Sequence, residues 1–165
     1  MKKNILIVAI CALVAFGFMS CNPEPTKKEL LTTDKGWNLT KATCNPPYQL
    51  EAGVDISDLF DGFIRDYEKD DIMFFKPDGA QYLDYGKVKS ATQTEKGETL
   101  GKWTLNEEGT ELKFYLPYYD ELVTGIITVL NETNLTVGVK INEDDGPNPT
   151  KTVRKYDFTL TYTRK

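Results

Sequence analysis

Strict alternation of apolar and polar residues runs through the second half of this chain. Leu112, Phe114 and Leu116 occupy every second position of residues 111–116. Residues 134–141 and 155–163 repeat the pattern with aliphatic or aromatic side chains. A side-chain period of two is that of a β-strand, and strands with one wet face are typical of antiparallel sheets. The alternation therefore predicts a mostly antiparallel, all-β fold.

Short polar turns separate the strands. Pro77-Asp78-Gly79 has proline and glycine where a tight hairpin needs them, and residues 106–109 and 131–133 are also turn-like. The predicted strands are 36–43, 72–76, 80–85, 101–105, 111–116, 122–130, 134–141 and 155–163. Sequential strands joined by tight turns favour an up-and-down meander that closes on itself. We therefore expect an antiparallel β-barrel of about eight strands.

One amphipathic helix is predicted between residues 55 and 68. Its apolar residues recur at spacings of one, three and four, and Asp55 or Ser57 can cap its first turn. The apolar positions are Leu59, Phe60, Phe63, Ile64 and Tyr67. An apolar stripe at helical spacing indicates a face that packs on the barrel rather than a cofactor site.

Residues 1–20 have the organisation of an export signal. Lys2 and Lys3 precede an uncharged, largely apolar run from Ile5 to Met19, which is too short to span a bilayer comfortably. Phe18-Met19-Ser20-Cys21 then resembles the lipobox of bacterial lipoproteins, which implies cleavage before Cys21 and a covalent lipid on it. The same residues leave an alternative open, which is ordinary cleavage near residues 15–17 and release of a secreted protein.

A linker is expected between Cys21 and a folded domain over residues 35–165. Residues 22–34 contain Pro23 and Pro25 and show no apolar period. With a lipid on Cys21, we expect the protein in the cell envelope, anchored to the outer membrane. The sequence does not distinguish its periplasmic face from its surface face.

Composition excludes several classes of function. The chain has no histidine, so Ser-His-Asp and Cys-His catalysis and the commonest metal ligand are absent. The net charge of −5 at pH 7 argues against nucleic acid as a partner.

Cys44 is expected to be a small buried residue. The acids Asp66, Glu68, Asp70 and Asp71, and the run 143–145, lack the spacing of a calcium loop and predict a solvated acidic surface. We expect no metal, no cofactor and no enzymatic activity.

Four segments, in their order along the chain, resemble the lipocalin-like domain of Bacteroidetes-type bacterial lipoproteins. They are Gly36-Trp37-Asn38-Leu39-Thr40, residues 70–79, Gly101-Lys102-Trp103-Thr104-Leu105, and residues 159–164. The resemblance covers about residues 33–165 and implies an eight-stranded calycin-type barrel with a ligand pocket at its open end. It also implies a structural contact of Arg164, on the last strand, with Trp37 on the first. The family's Gly-x-Trp signature appears here as Gly36-Trp37, without the intervening residue.

Two functions are expected from these residues. Eight strands enclose packed side chains or one small ligand. A small apolar or amphipathic ligand would contact the aromatic residues expected inside the barrel, which are Phe74, Tyr82, Trp103, Phe114, Phe158 and Tyr162. The alternative is a protein-binding module, an inhibitor or an accessory subunit of an envelope complex, with a filled barrel. It would use the acidic surface and the tyrosines of the 115–120 loop, which are Tyr115, Tyr118 and Tyr119.

Overall fold

A computed structural model describes residues 23–49, 54–91, 93, 95–117, 121–144 and 153–165 of the chain. These residues form two short helices and ten strands. In chain order, with our own labels, they are α1 (Lys27–Leu31), β1 (Trp37–Gln49), β2 (Asp55–Asp58), α2 (Leu59–Gly62), β3 (Ile72–Phe75), β4 (Ala80–Asp84), β5 (Gly97–Lys102), β6 (Thr104–Leu105), β7 (Glu111–Leu116), β8 (Glu121–Leu130), β9 (Asn134–Asp144) and β10 (Val153–Arg164). Neither helix of this described part has the length to cross a membrane.

The strands form one antiparallel sheet that curls into a nearly closed barrel. Their order is β5-β4-β3-β1-β10-β9-β8-β7-β6, and β2 pairs with β1 beside this path. The two end strands, β5 and β6, are consecutive in the chain and are separated only by Trp103. The two edges of the sheet therefore meet at this residue. The predicted antiparallel barrel is confirmed.

The strand count is ten rather than about eight. One strand was predicted over residues 101–105, but the backbone breaks at Trp103, so β5 pairs with β4 while β6 pairs with β7. Gly101, with φ of 153°, lies just before this change of partner. The other additional strand is β2, which lies in the segment predicted to be helical.

The first and last strands close the barrel between them. β1 pairs with β10 from Trp37 opposite Arg164 to Asn45 opposite Asp157, with a register shift between Leu39 and Lys41. β10 then pairs along its length with β9. Alternation along β10 places Tyr156, Phe158, Leu160 and Tyr162 inside, as its sequence predicts, whereas β1 buries Trp37, Asn38 and Leu39 in succession before its register shift.

The Gln81 side chain connects β4 to β7 inside the barrel. Its side chain is fully buried, and its amide group donates to the Tyr115 carbonyl and accepts from the Tyr115 N–H, both at 2.7 Å. Gln81 belongs to β4 and Tyr115 to β7, so the side chain supplies both bonds that a neighbouring strand would make. We call this pair of hydrogen bonds the Gln81 clamp. It satisfies two backbone groups at the point where β5 turns away from β7.

The predicted helix over 55–68 is wrong for most of its length. Residues 55–58 form β2, with Ile56 opposite Tyr48 of β1. The carboxylate of Asp58 accepts from the N–H groups of Phe60 and Asp61, so α2 begins after Asp58. The helix ends at Gly62, where a β-carbon would lie 2.7 Å from the Ile56 side chain. The cap and this close approach outweigh the helical spacing of the apolar residues.

Part of the linker expected over residues 22–34 belongs to the folded domain, because α1 lies within it. A capping box between Thr26 and Glu29 starts the helix, and Leu31 is fully buried in the core. The Trp37 indole N–H donates to the Leu31 carbonyl at 2.9 Å. Arg164 donates to the Leu30 carbonyl at 2.8 Å. The folded domain therefore begins at Thr26 rather than at residue 35.

Trp37 and Arg164 meet beneath this helix. The guanidinium carbon of Arg164 lies 4.9 Å from the centre of the Trp37 ring, which is within the range of a cation–π contact. Trp37 is fully buried. The two residues thus close one end of the barrel together with Leu31.

Candidate functional site

Four of the six aromatic residues expected inside the barrel are buried there. They are Trp103, Phe114, Phe158 and Tyr162, each at most 4% exposed. Phe75 packs edge to face on Trp103 and on Phe114, with ring centres 5.5 and 6.3 Å apart. These contacts are those of a packed core.

Phe74 and Tyr82 point the other way, and their predicted inward orientation is wrong. Both are half-buried on the outer face of the β3–β4 hairpin, where they pair across the strands. The Lys76 ammonium lies 4.4 Å from the centre of the Phe74 ring. Residues 72–75 are apolar at every position, so the sequence does not show which of them point inward. A shift of one residue exchanges the inner and outer faces of the strand. The buried residues of this hairpin are Met73, Phe75, Gln81 and Leu83.

Two small voids border the described interior. One of about 20 Å³ lies between Leu39, Leu116 and Phe158, and one of about 10 Å³ lies between Trp37, Asp71 and Tyr162. A void of that size holds about one water molecule, whereas ligand pockets measure roughly 300–1,000 Å³. The interior around these two voids is therefore occupied by side chains.

The carboxylates of Asp70 and Asp71, which precede β3, hold the loop that follows β4. The carboxylate of Asp71 accepts from the Gly86 N–H at 3.1 Å, and that of Asp70 accepts from the N–H groups of Lys87 and Val88. Burial raises the pKa of Asp71 to about 6, against the lowering effect of the Gly86 N–H. Among the described residues, no group of three or more acids or cysteines has the geometry of a metal site.

A cleft of about 430 Å³ lies beside this loop. Charged residues of both signs line it, including Asp70, Asp84, Lys87 and Lys165. Opposite charges at such short range offset one another, so the cleft presents no strong field of either sign to a ligand. We therefore do not assign a site to it.

The other residues predicted to act at a site lie partly outside the described structure. Cys21 belongs to residues 1–22, and Tyr118 and Tyr119 to residues 118–120, which are not described. Tyr115 is half-buried, and its ring lies against Gly101, where a β-carbon would come within 2.2 Å of it. Cys44 is a buried thiol that donates to the Pro46 carbonyl.

The outer face of β8, β9 and β10 carries a groove that the sequence patterns do not predict. Its volume is about 370 Å³, and its lining is mainly apolar. Gly138 forms its floor, because Gly138 lies directly opposite Ile126 on one side and Thr159 on the other. Lys140 and Asp157 border one end. We call this feature the outer groove.

Three exposed aliphatic side chains lie along β8, and one of them, Ile126, lines the outer groove. Ile126 is 53% exposed, and Leu122 and Val129, also on β8, are 44% and 41% exposed. A β-carbon placed on Gly138 would have its nearest neighbour at 3.9 Å, so the space above this residue is open. Glycine inside a strand often marks a place where another group approaches closely. That signal was available in residues 134–141.

The chain was compared with family models, with curated proteins and with solved structures, and none of the three comparisons found a match. The assignment of a function therefore rests on the residues and their geometry.

Proposed function

We propose that this protein is a non-enzymatic, lipid-anchored protein of the bacterial cell envelope whose filled barrel is a protein-binding module, with the outer groove as its contact surface. Of the two functions expected from the sequence, the filled interior favours this one. A barrel packed with Trp103, Phe114 and Phe158 is a rigid support, and rigid supports hold binding surfaces with little loss of entropy on association.

The observation that carries the proposal is the mainly apolar outer groove, which lies between the exposed aliphatic residues of β8 and the polar outer faces of β9 and β10. The outward residues of β9 and β10 are polar or charged at most positions, as on Lys140, Asp157 and Thr159. Ile126, by contrast, is an apolar side chain that is about half exposed, and it lies beside the open space over Gly138. An exposed apolar patch with a polar rim is typical of a protein-interaction site.

The lipid anchor is the second part of the proposal and rests on residues 18–21. It is tested by replacing Cys21 with alanine in the full chain. We expect the wild-type protein to fractionate with membranes and to carry the mass of a lipid, and Cys21→Ala to lose both properties. A wild-type protein found free in the soluble fraction would contradict the anchor and favour the secreted form.

Site-specific photo-crosslinking of the full chain in its own envelope tests the binding surface. A photoreactive amino acid at Thr124, which is exposed and borders the outer groove, should capture a discrete protein. The same group at Val88, which is 52% exposed on the loop after β4 and does not line the outer groove, is the matched control. Gly138→Val fills the groove and should abolish capture from Thr124.

Two results would contradict the proposed function. One is equal capture from Thr124 and Val88, which would mean nonspecific proximity. The other is a protein whose native mass includes a small molecule that organic extraction removes, which would favour the small-ligand function.

A further inference from the structure

The outward side chains of β7 to β10 form two straight rows across the strands. In one row, Glu111 on β7 lies opposite Ile126, Ile126 opposite Gly138, and Gly138 opposite Thr159. The strand register therefore places four groups side by side across the sheet, which are an acid, an exposed aliphatic residue, the floor of the outer groove and a hydroxyl.

The second row lies two residues along each strand. Lys113 is opposite Thr124, and Lys140 is opposite Asp157. Gly125 is opposite Val139, which places Thr124 level with Lys140. This row therefore has a basic residue at its β7 end and an acidic residue at its β10 end, and all four of its members are exposed.

When either row is turned end to end and laid over itself, each residue faces one that it can pack against or pair with. A two-fold axis that runs along the strands, between β8 and β9, reverses each row in a second copy of the chain. It places Ile126 of each copy over Gly138 of the other, where the open space accepts a side chain. It also places Lys113 of each copy over Asp157 of the other. Self-complementarity of this kind is what a two-fold interface requires.

We infer that the occupant of the outer groove is a second copy of this chain, and that two copies form a symmetric dimer through the outer faces of β7 to β10. This inference rests on the proposed function and names its partner. The two Ile126 side chains are the apolar centre of the interface, and two Lys113–Asp157 ion pairs flank it. Aligned packing of two sheets face to face has this arrangement of strands.

The direction of the axis suits two chains anchored in one membrane. A rotation about the strand direction leaves both α1 helices on the same side of the dimer. The contact face is small because the barrel is convex, so we expect weak association in dilute solution. Two lipid anchors in one bilayer would raise the effective concentration of the copies.

The experiment uses two differently tagged full chains, produced together and processed in the same cells, with the photoreactive amino acid at Thr124. Lys113→Asp places two acids opposite each other at both ion pairs of the dimer, and Asp157→Lys places two bases there. Each variant alone should therefore lose roughly tenfold of the self-crosslinked product, because two exposed pairs change from attraction to repulsion. Mixing the Lys113→Asp chain with the Asp157→Lys chain restores both pairs and should restore the product. Thermal unfolding of each variant checks that its fold is intact.

Failure of the inference and failure of the proposed function give different results. If the wild-type chain captures another protein from Thr124 but never its own copy, the dimer is refuted and the protein-binding function stands. If neither is captured, both are refuted. If the single variants lose the self-crosslink but the mixture does not regain it, the two-fold arrangement is wrong.

Discussion

Replacing Gln81 by methionine isolates the energy of the Gln81 clamp. Methionine is unbranched and close in size, so the interior stays filled, but the N–H and carbonyl of Tyr115 lose partners at 2.7 Å. Each buried backbone group left unsatisfied costs about 1–3 kcal/mol. We therefore expect the free energy of unfolding to fall by about 2–6 kcal/mol. For a domain of this size, that lowers the melting temperature by roughly 4–24 °C.

Urea denaturation followed by tryptophan fluorescence measures this loss, and amide hydrogen exchange at Tyr115 localises it. Met73→Leu is the matched control. It removes only the contact from the Gln81 amide to the Met73 sulfur at 3.0 Å, and a swap that conserves volume costs less than about 1.5 kcal/mol. Exchange at Tyr115 should be much faster in Gln81→Met than in Met73→Leu.

Gln81→Glu tests the same clamp by charge. A carboxylate still accepts from the Tyr115 N–H but has no proton to donate to the Tyr115 carbonyl, whereas the neutral acid has one. The folded state therefore binds this proton more tightly than the unfolded state, and the destabilisation relative to wild type should shrink as the pH falls. If Gln81→Met unfolds within about 0.5 kcal/mol of wild type, or if Gln81→Glu shows no pH dependence relative to wild type, the clamp does not stabilise the barrel as argued.

Three further predictions follow from other buried positions. Trp37→Ala should lower the free energy of unfolding by about 3–5 kcal/mol, because it leaves a cavity at the closed end of the barrel and leaves the Leu31 carbonyl without its hydrogen-bond donor. Trp37→Phe should lower it by less, and urea denaturation of both variants measures the difference. The folded-state pKa of Asp71 is raised to about 6, so the free energy of unfolding should fall as the pH rises from about 4 to 6. Asp71→Asn should remove this pH dependence and raise stability at pH 7, as measured by denaturation at pH 4.5 and 7.5. Gly125→Ala should destabilise by about 1–3 kcal/mol, because its β-carbon would lie 2.3 Å from Val137, whereas Gly138→Ala should leave the melting temperature unchanged or higher.

The sequence predicts the strands best where alternation is strict. Leu135, Val137 and Val139 alternate with polar neighbours, and the structure buries these three as expected. The run Ile72 to Phe75 is apolar throughout, so its orientation depends on register, which the sequence does not encode locally. Residues 55–68 show helical spacing, yet pairing with β1 and the close approach at Gly62 override it.

The candidate site was harder to predict than the fold. Aromatic residues can be identified as candidate site residues from the sequence alone. The outer groove, by contrast, depends on the absence of a side chain at Gly138 and on the residues beside it on the neighbouring strands. The buried position of Gln81 is not predictable for a related reason, because a polar residue in an alternating strand is normally assigned to the solvent-exposed face. Both features require the three-dimensional register of the strands.

The pairing of the first strand with the last determines when this barrel can finish folding. Trp37 lies opposite Arg164, and Arg164 also holds the helix that covers that end of the barrel. Contacts between such distant parts of a chain form slowly, because the loop between them must be closed first. A chain that crosses the membrane unfolded therefore lacks its first strand's partner until almost its last residue has passed. The barrel therefore closes only when the C-terminal strand is available, and loss of the last two residues would leave Trp37 and Leu30 without the contacts of Arg164.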